Sequence, residues 1–488
     1  MTLRDVRAAS GKLFGRSTPL VLSRLLSAAI TFGLPLALVR LLEPEMFGTY
    51  KQFFLVGQTV LLVGQLGLTQ SLYYFVPRDR AQAGGYVAQT FASVAFLGAI
   101  AGAALLFGAP SLARWLGSPG LAEFRASLAL YAAAMLAAAP LEATLVSDGR
   151  PARAALAYTA TDALRAVALV AAAALLGAPW MFRAAALVAC LRVVALWSLV
   201  GRRSLPFARP RRARFRAQLA FALPFAGASF LYVAQRYFSQ YAVSASFDPA
   251  TFALFAVASF HLPVVDIVYT PISEVLMVDL ARPAAPRLAT WHEAIDRLAS
   301  ILFPAACGAW LFGSTVLPLL FTTRYSGAIP LFLLATAEIP LWVLPVDALL
   351  RAAGETRFLF AFNGARLVLT AALVAAGIAL YGLAGAIAGT VLSEAISRAV
   401  LVARSRRFLE AGPRQVIDWR SAGRIALAAA LACVPALACK LLGMQGARYL
   451  TTGCILYCAT YLAMWWLLVR RAASFARPLE EPPTAAAA

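Results

Sequence analysis

Arg24 and Arg236 carry the most pointed chemistry in this sequence. Each lies inside a long apolar run, and neither has an acidic residue within four positions. A guanidinium presents a planar fork of donors that grips an oxyanion with two parallel hydrogen bonds. Tyr232, Gln235, Tyr237 and Gln240 surround Arg236 and add amides and aromatic faces for hydrogen bonding and stacking. Pairing with distant acids, or contact with lipid headgroups, is the alternative use of the two arginines. Lys51, followed by Gln52, Gln58 and Gln65, and Arg366, beside Asn363, are further cations placed to face a wet cavity.

The acids fall into three groups. Asp162 and Arg165 are three apart, and Glu394 and Arg398 four apart, spacings that permit pairs along one helix. Glu142 and Asp347 stand near Arg150 and Arg351 and read as structural or gate ion pairs. Asp266, after Pro263, and Glu338, before Pro340, lie inside apolar runs and are candidates for a coupling proton or cation. Arg192 has no evident partner. His261 and His292 are far apart, and none of the six cysteines forms a CxxC pair, so no metal site is expected.

The elements that must hold these residues are membrane helices. Of 488 residues, 61% are hydrophobic and only 13% charged, against roughly 25% charged in soluble domains. A soluble enzyme, a disordered chain and a disulfide scaffold are excluded. A span needs about 20 apolar residues. Fourteen runs qualify, at roughly 18–42, 50–75, 85–108, 122–146, 154–177, 180–201, 217–244, 250–272, 297–320, 327–350, 357–381, 383–402, 421–442 and 449–470. The split between 357–381 and 383–402 rests on Tyr381-Gly382. With the N-terminus inside, alternate loops carry 28 Lys and Arg on the cytoplasmic side and 6 outside. That bias satisfies the positive-inside rule and puts both termini in the cytoplasm. The net charge of +21 is therefore mostly an orienting charge. Nucleic acid is not an expected partner, because the Arg-rich 201–216 stretch has little aromatic interleaving.

The chain repeats itself with an offset of 205 residues. Glu43-Pro44-Glu45-Met46-Phe47-Gly48-Thr49-Tyr50 matches Asp248-Pro249-Ala250-Thr251-Phe252-Ala253-Leu254-Phe255 as acid-Pro-x-x-Phe-small-x-aromatic. Pro140-Leu141-Glu142-Ala143 matches Pro345-Val346-Asp347-Ala348, Gly149 matches Gly354, and Gly177 matches Gly382. Six spans per repeat give both halves the same orientation, hence a pseudo-two-fold along the membrane normal with substrate between the halves. The expected fold is an all-α polytopic membrane protein. A six-helix lobe at 1–200 is followed by a basic linker at 201–216 and a second lobe at 217–402. A basic loop at 403–420, an added helix pair at 421–470 and a disordered tail at 471–488 complete it.

The strings Arg40-Leu41-Leu42-Glu43-Pro44-Glu45-Met46-Phe47-Gly48-Thr49-Tyr50 and Leu66-Gly67-Leu68-Thr69-Gln70-Ser71-Leu72-Tyr73-Tyr74-Phe75-Val76-Pro77-Arg78 resemble the first two helices of the MOP flippase superfamily. The resemblance is to its polysaccharide branch, the Wzx-type flippases of O-antigen, capsule and exopolysaccharide, and its layout covers about residues 15–470. It implies two six-helix lobes with alternating access to a central cavity. It implies flipping of undecaprenyl-diphosphate-linked oligosaccharide from the cytoplasmic to the outer leaflet of the bacterial inner membrane. Arg24 and Arg236 would then line the cavity and hold the diphosphate, with Arg366 a third candidate for that contact, Lys51 facing the cavity, and Tyr232 and Gln235 suited to the sugar rings. Membrane lipids, a polysaccharide polymerase and a chain-length regulator are the implied partners. No cofactor and no enzymatic activity are expected, and coupling is to a proton, sodium or the membrane potential. A lipid II flippase and a multidrug or cation antiporter of the same superfamily are the alternatives. The scarcity of lysine (Lys12, Lys51 and Lys440 alone) departs from the family pattern.

Overall fold

The computed structural model describes residues 26–27, 29–201, 211–260, 263–280 and 286–470. Arg24, most of the basic stretch 201–216 and the tail 471–488 lie outside the described residues. Among those described, every regular element is a helix. The first part contains α1 (Ala29–Leu41), α2 (Pro44–Gly64), α3 (Leu68–Arg78), α4 (Ala83–Trp115), the short α5 (Pro119–Glu123), α6 (Arg125–Ala138), α7 (Pro140–Ser147), α8 (Pro151–Leu175), α9 (Ala178–Gly201) and α10 (Arg212–Ser246). Then come α11 (Pro249–Ala258), α12 (Pro263–Leu280) and α13 (Arg287–Phe321). A broken stretch follows, with α14 (Ile329–Ala335) and α15 (Val346–Ala352) among short 3-10 turns. The chain ends in α16 (Thr356–Leu409), α17 (Trp419–Leu441) and α18 (Gly446–Trp465).

Among the described residues ten helical stretches are long and apolar enough to cross a membrane, α6 with α7 and the broken Thr323–Ala352 each counting as one, or eleven if α2 and α3, bent by 41°, make one span. Proline and glycine bend or divide several of the expected spans. The expected 122–146 divides at Pro140, the first residue of α7. The expected 250–272 divides into α11 and α12, and the expected 327–350 into short pieces around Pro340 and Pro345. The split at Gly382 is present inside α16. That helix has 54 residues, which would reach about 80 Å, against a hydrocarbon core of about 30 Å. Gly382 interrupts it with φ 57° and ψ −133°, a conformation that a side chain disfavours.

The backbone repeats as the sequence does. α2 and α11 begin at Pro44 and Pro249, and α8 and α16 at Pro151 and Thr356. The glycines preceding α8 and α16, Gly149 and Gly354, have φ of 77° and 76°.

The described chain forms two compact units, Met1–Ala256 and Val257–Ala488. α10 packs inside the first, tied down by buried amides. The Gln218 amide donates to Ser71 Oγ at 2.7 Å and Thr90 Oγ1 at 2.6 Å, and accepts from Gln89 Nε2 at 2.5 Å. Further along, Gln52 Nε2 donates to Ser244 Oγ at 2.8 Å and to the Leu116 carbonyl at 3.2 Å, and the Tyr241 hydroxyl donates to Thr59 at 2.8 Å. In apolar surroundings such bonds fix one helix against another. In the second unit the core runs along α12, α13 and α15, with Trp291 fully buried and donating to the Val416 carbonyl at 2.8 Å. α17 and α18 pack on α13 through Leu311, Phe312, Ala432, Ala436, Tyr449 and Tyr457. Pro304 interrupts α13 and leaves the Ser300 carbonyl without its N–H partner. The Tyr461 hydroxyl donates to that carbonyl at 2.6 Å, and the Tyr457 hydroxyl to the Pro304 carbonyl at 2.8 Å.

Candidate functional site

Each unit holds a buried carboxylate shared by two arginines across a helical hairpin. In the first unit α8 and α9 form a hairpin turned at Gly177. Asp162 on α8 accepts from Arg192 Nη1 on α9 at 3.3 Å and lies 3.8 Å from Arg165 Nη2 on its own helix. The Arg192 guanidinium also lies over the Tyr158 ring, 4.3 Å from its centroid. Glu142 on α7 is within electrostatic reach of Tyr158.

In the second unit the hairpin is the two halves of α16, turned at Gly382. Glu394 pairs with Arg398 at 2.7 Å and with Arg366 across the turn. Arg398 further donates to Tyr269 Oη at 3.4 Å and to the Leu344 carbonyl, and stands 4.6 Å from the Trp342 ring centroid. Asp347 is within electrostatic reach of Arg398 and Tyr269. The side chains of Glu394 and Arg398 are 2% and 4% exposed, and that of Arg366 is 29% exposed. Close backbone contact holds the hairpin shut: a Cβ on Gly385 would stand 1.9 Å from the Gly377 carbonyl oxygen.

The intrahelical pairs Asp162–Arg165 and Glu394–Arg398 are those that spacing suggested. The pairs across the turns were not evident from local spacing, since 30 and 28 residues separate their members. One signal was available. Asp162 and Arg192 are each fifteen residues from Gly177, the relation that brings residues face to face in an antiparallel hairpin.

Among the other candidate residues, Arg236 lies on α10 with Nη1 3.5 Å from Tyr232 Oη, and Tyr232 is 56% exposed. Gln235 precedes it on the same helix. Arg24 lies outside the described residues, so its partnership with Arg236 has no geometry here. Lys51 is half-buried on α2, its ammonium 5.4 Å from the Phe47 ring centroid and 5.9 Å from that of Tyr50. Among the described residues it has no carboxylate partner. Gln52 is spent on α10, and Gln65 donates to the Leu61 carbonyl of its own helix at 2.9 Å. Asp266 is a residue of α12 whose side chain is outside the description. Glu338 accepts from Trp342 Nε1 at 3.2 Å. Arg150 pairs with Asp148 at 3.2 Å, and Arg351 donates to the Asp347 backbone carbonyl at 3.1 Å. No group of three or more His, Cys, Asp or Glu placed to hold a metal occurs among the described residues.

A family model described as polysaccharide biosynthesis protein matches residues 37–330. No curated protein sequence matches the chain. Among solved structures, the lipid II flippase MurJ in an inward closed conformation aligns at TM-score 0.73 and 11% identity, over 92% of this chain and 100% of that one. An inward-facing multidrug resistance MATE transporter of the MOP superfamily aligns at TM-score 0.65 and 17% identity, over 78% of this chain and 94% of that one. A MOP superfamily transporter from Pyrococcus furiosus, described as having a binding pocket of reversed polarity, aligns at TM-score 0.56 and 16% identity, over 81% and 95%. The repeated backbone, the helices long enough to cross a membrane and these likenesses agree: the chain belongs to the polysaccharide biosynthesis protein family and has the fold of the MOP superfamily transporters.

Proposed function

We propose that the chain is a flippase that carries an undecaprenyl-diphosphate-linked oligosaccharide from the cytoplasmic to the outer leaflet of a bacterial inner membrane. The observation that carries this reading is membership of a polysaccharide biosynthesis family on a fold similar to a lipid II flippase. Translocation needs alternating exposure of one site rather than bond chemistry. Lys51, half-buried beside the Phe47 and Tyr50 rings with no carboxylate partner among the described residues, favours an anionic cargo. In this reading Arg24 and Arg236 meet the diphosphate, and Tyr232 and Gln235 the sugars. Asp266 or Glu338 binds a coupling ion, and Glu142 and Asp347 act at gates. Both termini are cytoplasmic, and a polymerase and a chain-length regulator act on the delivered cargo.

Likeness to a MATE transporter supports a second reading, a multidrug or cation antiporter. The two readings separate in bacteria lacking their own O-antigen or capsule flippase. Expression of this chain is expected to restore surface polysaccharide and clear the accumulated lipid-linked precursor, without raising drug resistance. Raised resistance with no polysaccharide would replace the first reading by the second.

A further inference from the structure

The two arginines of each cluster are not equivalent. In the second unit Arg398 is engaged along both edges of its guanidinium and covered by Trp342. Arg366 donates to Glu394 through Nη2 alone, and its guanidinium has no other hydrogen-bond partner among the described residues. It lies ten residues, about 15 Å, into a helix that crosses the membrane. An arginine half-paired at that depth costs several kcal/mol if its remaining donors face lipid. The remaining donors therefore face water or an anion. The first unit repeats the arrangement with different residues at non-equivalent positions. Arg192 is locked against Asp162 and Tyr158, while Arg165 shares the carboxylate and keeps a buried Nε–H with no hydrogen-bond partner. Arg366 is the more open of the two, 29% exposed against 13% for Arg165.

We propose that Arg366, held from behind by the buried Glu394–Arg398 pair, is an anion seat that takes phosphate oxygens of a diphosphate headgroup. This rests on the reading of the chain as a carrier of a lipid-linked diphosphate. Glu394 anchors one end of the guanidinium fork and fixes its plane. Nη2 keeps a second proton, and that proton with the adjacent Nε–H or Nη1–H makes the parallel pair that a phosphate accepts. Glu394 and Arg398 are positioning residues; Arg366 is the contact. Asn363, one turn before Arg366, stands beside the seat, and Thr370, one turn after, is occupied by Ser393 Oγ at 2.6 Å. Glu394 and Asp347 are the carboxylates that face the cluster, with Arg398 as the second cation. Loss of Arg366 leaves Glu394 still paired with Arg398, so its substitution spares the fold.

The test is binding to the full chain in nanodiscs of zwitterionic lipid, with farnesyl diphosphate, inorganic pyrophosphate and farnesol as probes. Wild type is expected to bind farnesyl diphosphate well above farnesol. Arg366→Ala should weaken that binding about tenfold, the loss of one charged bidentate contact. Arg366→Lys, which keeps the charge and loses the fork, should weaken it about threefold or more, and it serves should the alanine variant not assemble. Arg297→Ala, on an exposed pair, should leave it unchanged. Pyrophosphate binding with the same dependence on Arg366 marks a seat for any diphosphate, and farnesyl diphosphate binding alone marks a seat for the lipid-linked form. Equal binding by wild type and both Arg366 variants overturns the seat while leaving the flippase reading standing. A wild type that binds neither diphosphate overturns both.

Discussion

The carboxylate at the centre of each cluster matters more than either arginine around it. Glu394→Gln would leave Arg366 and Arg398 facing each other in a buried site. Removing one partner of a buried pair costs about 3–5 kcal/mol, so this variant is expected to lose its monodisperse form or melt well below wild type. Arg297→Ala removes a 2.5 Å pair whose two side chains are more than half exposed, and should cost no more than about 0.5 kcal/mol. Thermal unfolding of the two variants in the same detergent checks the contrast. Asp248 gives a pH-dependent counterpart. It stands in the turn before α11, where the Thr251 hydroxyl and the N–H groups of Thr251 and Ala250 hold its carboxyl below the ordinary range. Its folded value lies under its unfolded one, so the stabilisation is complete above about pH 4 and is lost as pH falls through the lowered value. Asp248→Asn, which cannot ionise, is expected to lower stability modestly at neutral pH, leave it unchanged at strongly acid pH, and so flatten the acid side of a stability–pH curve. Residue types and short spacings made Asp162–Arg165 and Glu394–Arg398 legible in the sequence. That Arg192 pairs with Asp162, and Arg366 with Glu394, became visible only once a hairpin brought them across a turn.

Glycine and proline set the elements. Their shared offset made the repeat readable, because Pro44 and Pro249, and Gly149 and Gly354, do the same backbone work in both halves. The irregular stretches were harder to read, since an apolar run broken by Pro140 or Pro340 looks continuous to a hydropathy window. The place of α10 was also hidden, because its attachment to the first unit rests on Gln218, Ser244 and Tyr241, polar residues scattered through an apolar helix. Gln218→Leu leaves Gln89, Ser71 and Thr90 short of partners and should lower stability by about 1–2 kcal/mol. Native-state proteolysis near α10 would detect the loosening. Gly385→Val should act more severely, because the added side chain must displace the Gly377 backbone. It is expected to open the α16 hairpin and to separate Arg366 from Glu394. A cysteine pair placed across the hairpin away from the cluster should cross-link in wild type and fail to do so in the variant.

The whole molecule is a strongly basic chain, and the sequence assigns most of that charge to loops that would orient it. Twenty-eight of its basic residues fall in loops assigned to one side by the sequence. Fluorescent and alkaline phosphatase fusions at both ends should report a cytoplasmic location for each; phosphatase activity at either end would invert the topology. Composition also made the membrane class readable, whereas which cations face a cargo is a property of packing that composition averages away.

The tyrosines of α18 complete the hydrogen bonding of a helix outside their own pair. Tyr461 supplies the donor that Pro304 cannot, and Tyr457 donates to the Pro304 carbonyl of α13. A shortened chain ending near residue 420, though it keeps both repeats, would leave a bare carbonyl in the bilayer. The extra helices are thus a prosthesis for a kinked neighbour, and the kink and its support must be gained or lost together. Pro304→Ala, which returns an N–H to Ser300, should make the shortened chain viable where the natural sequence is not.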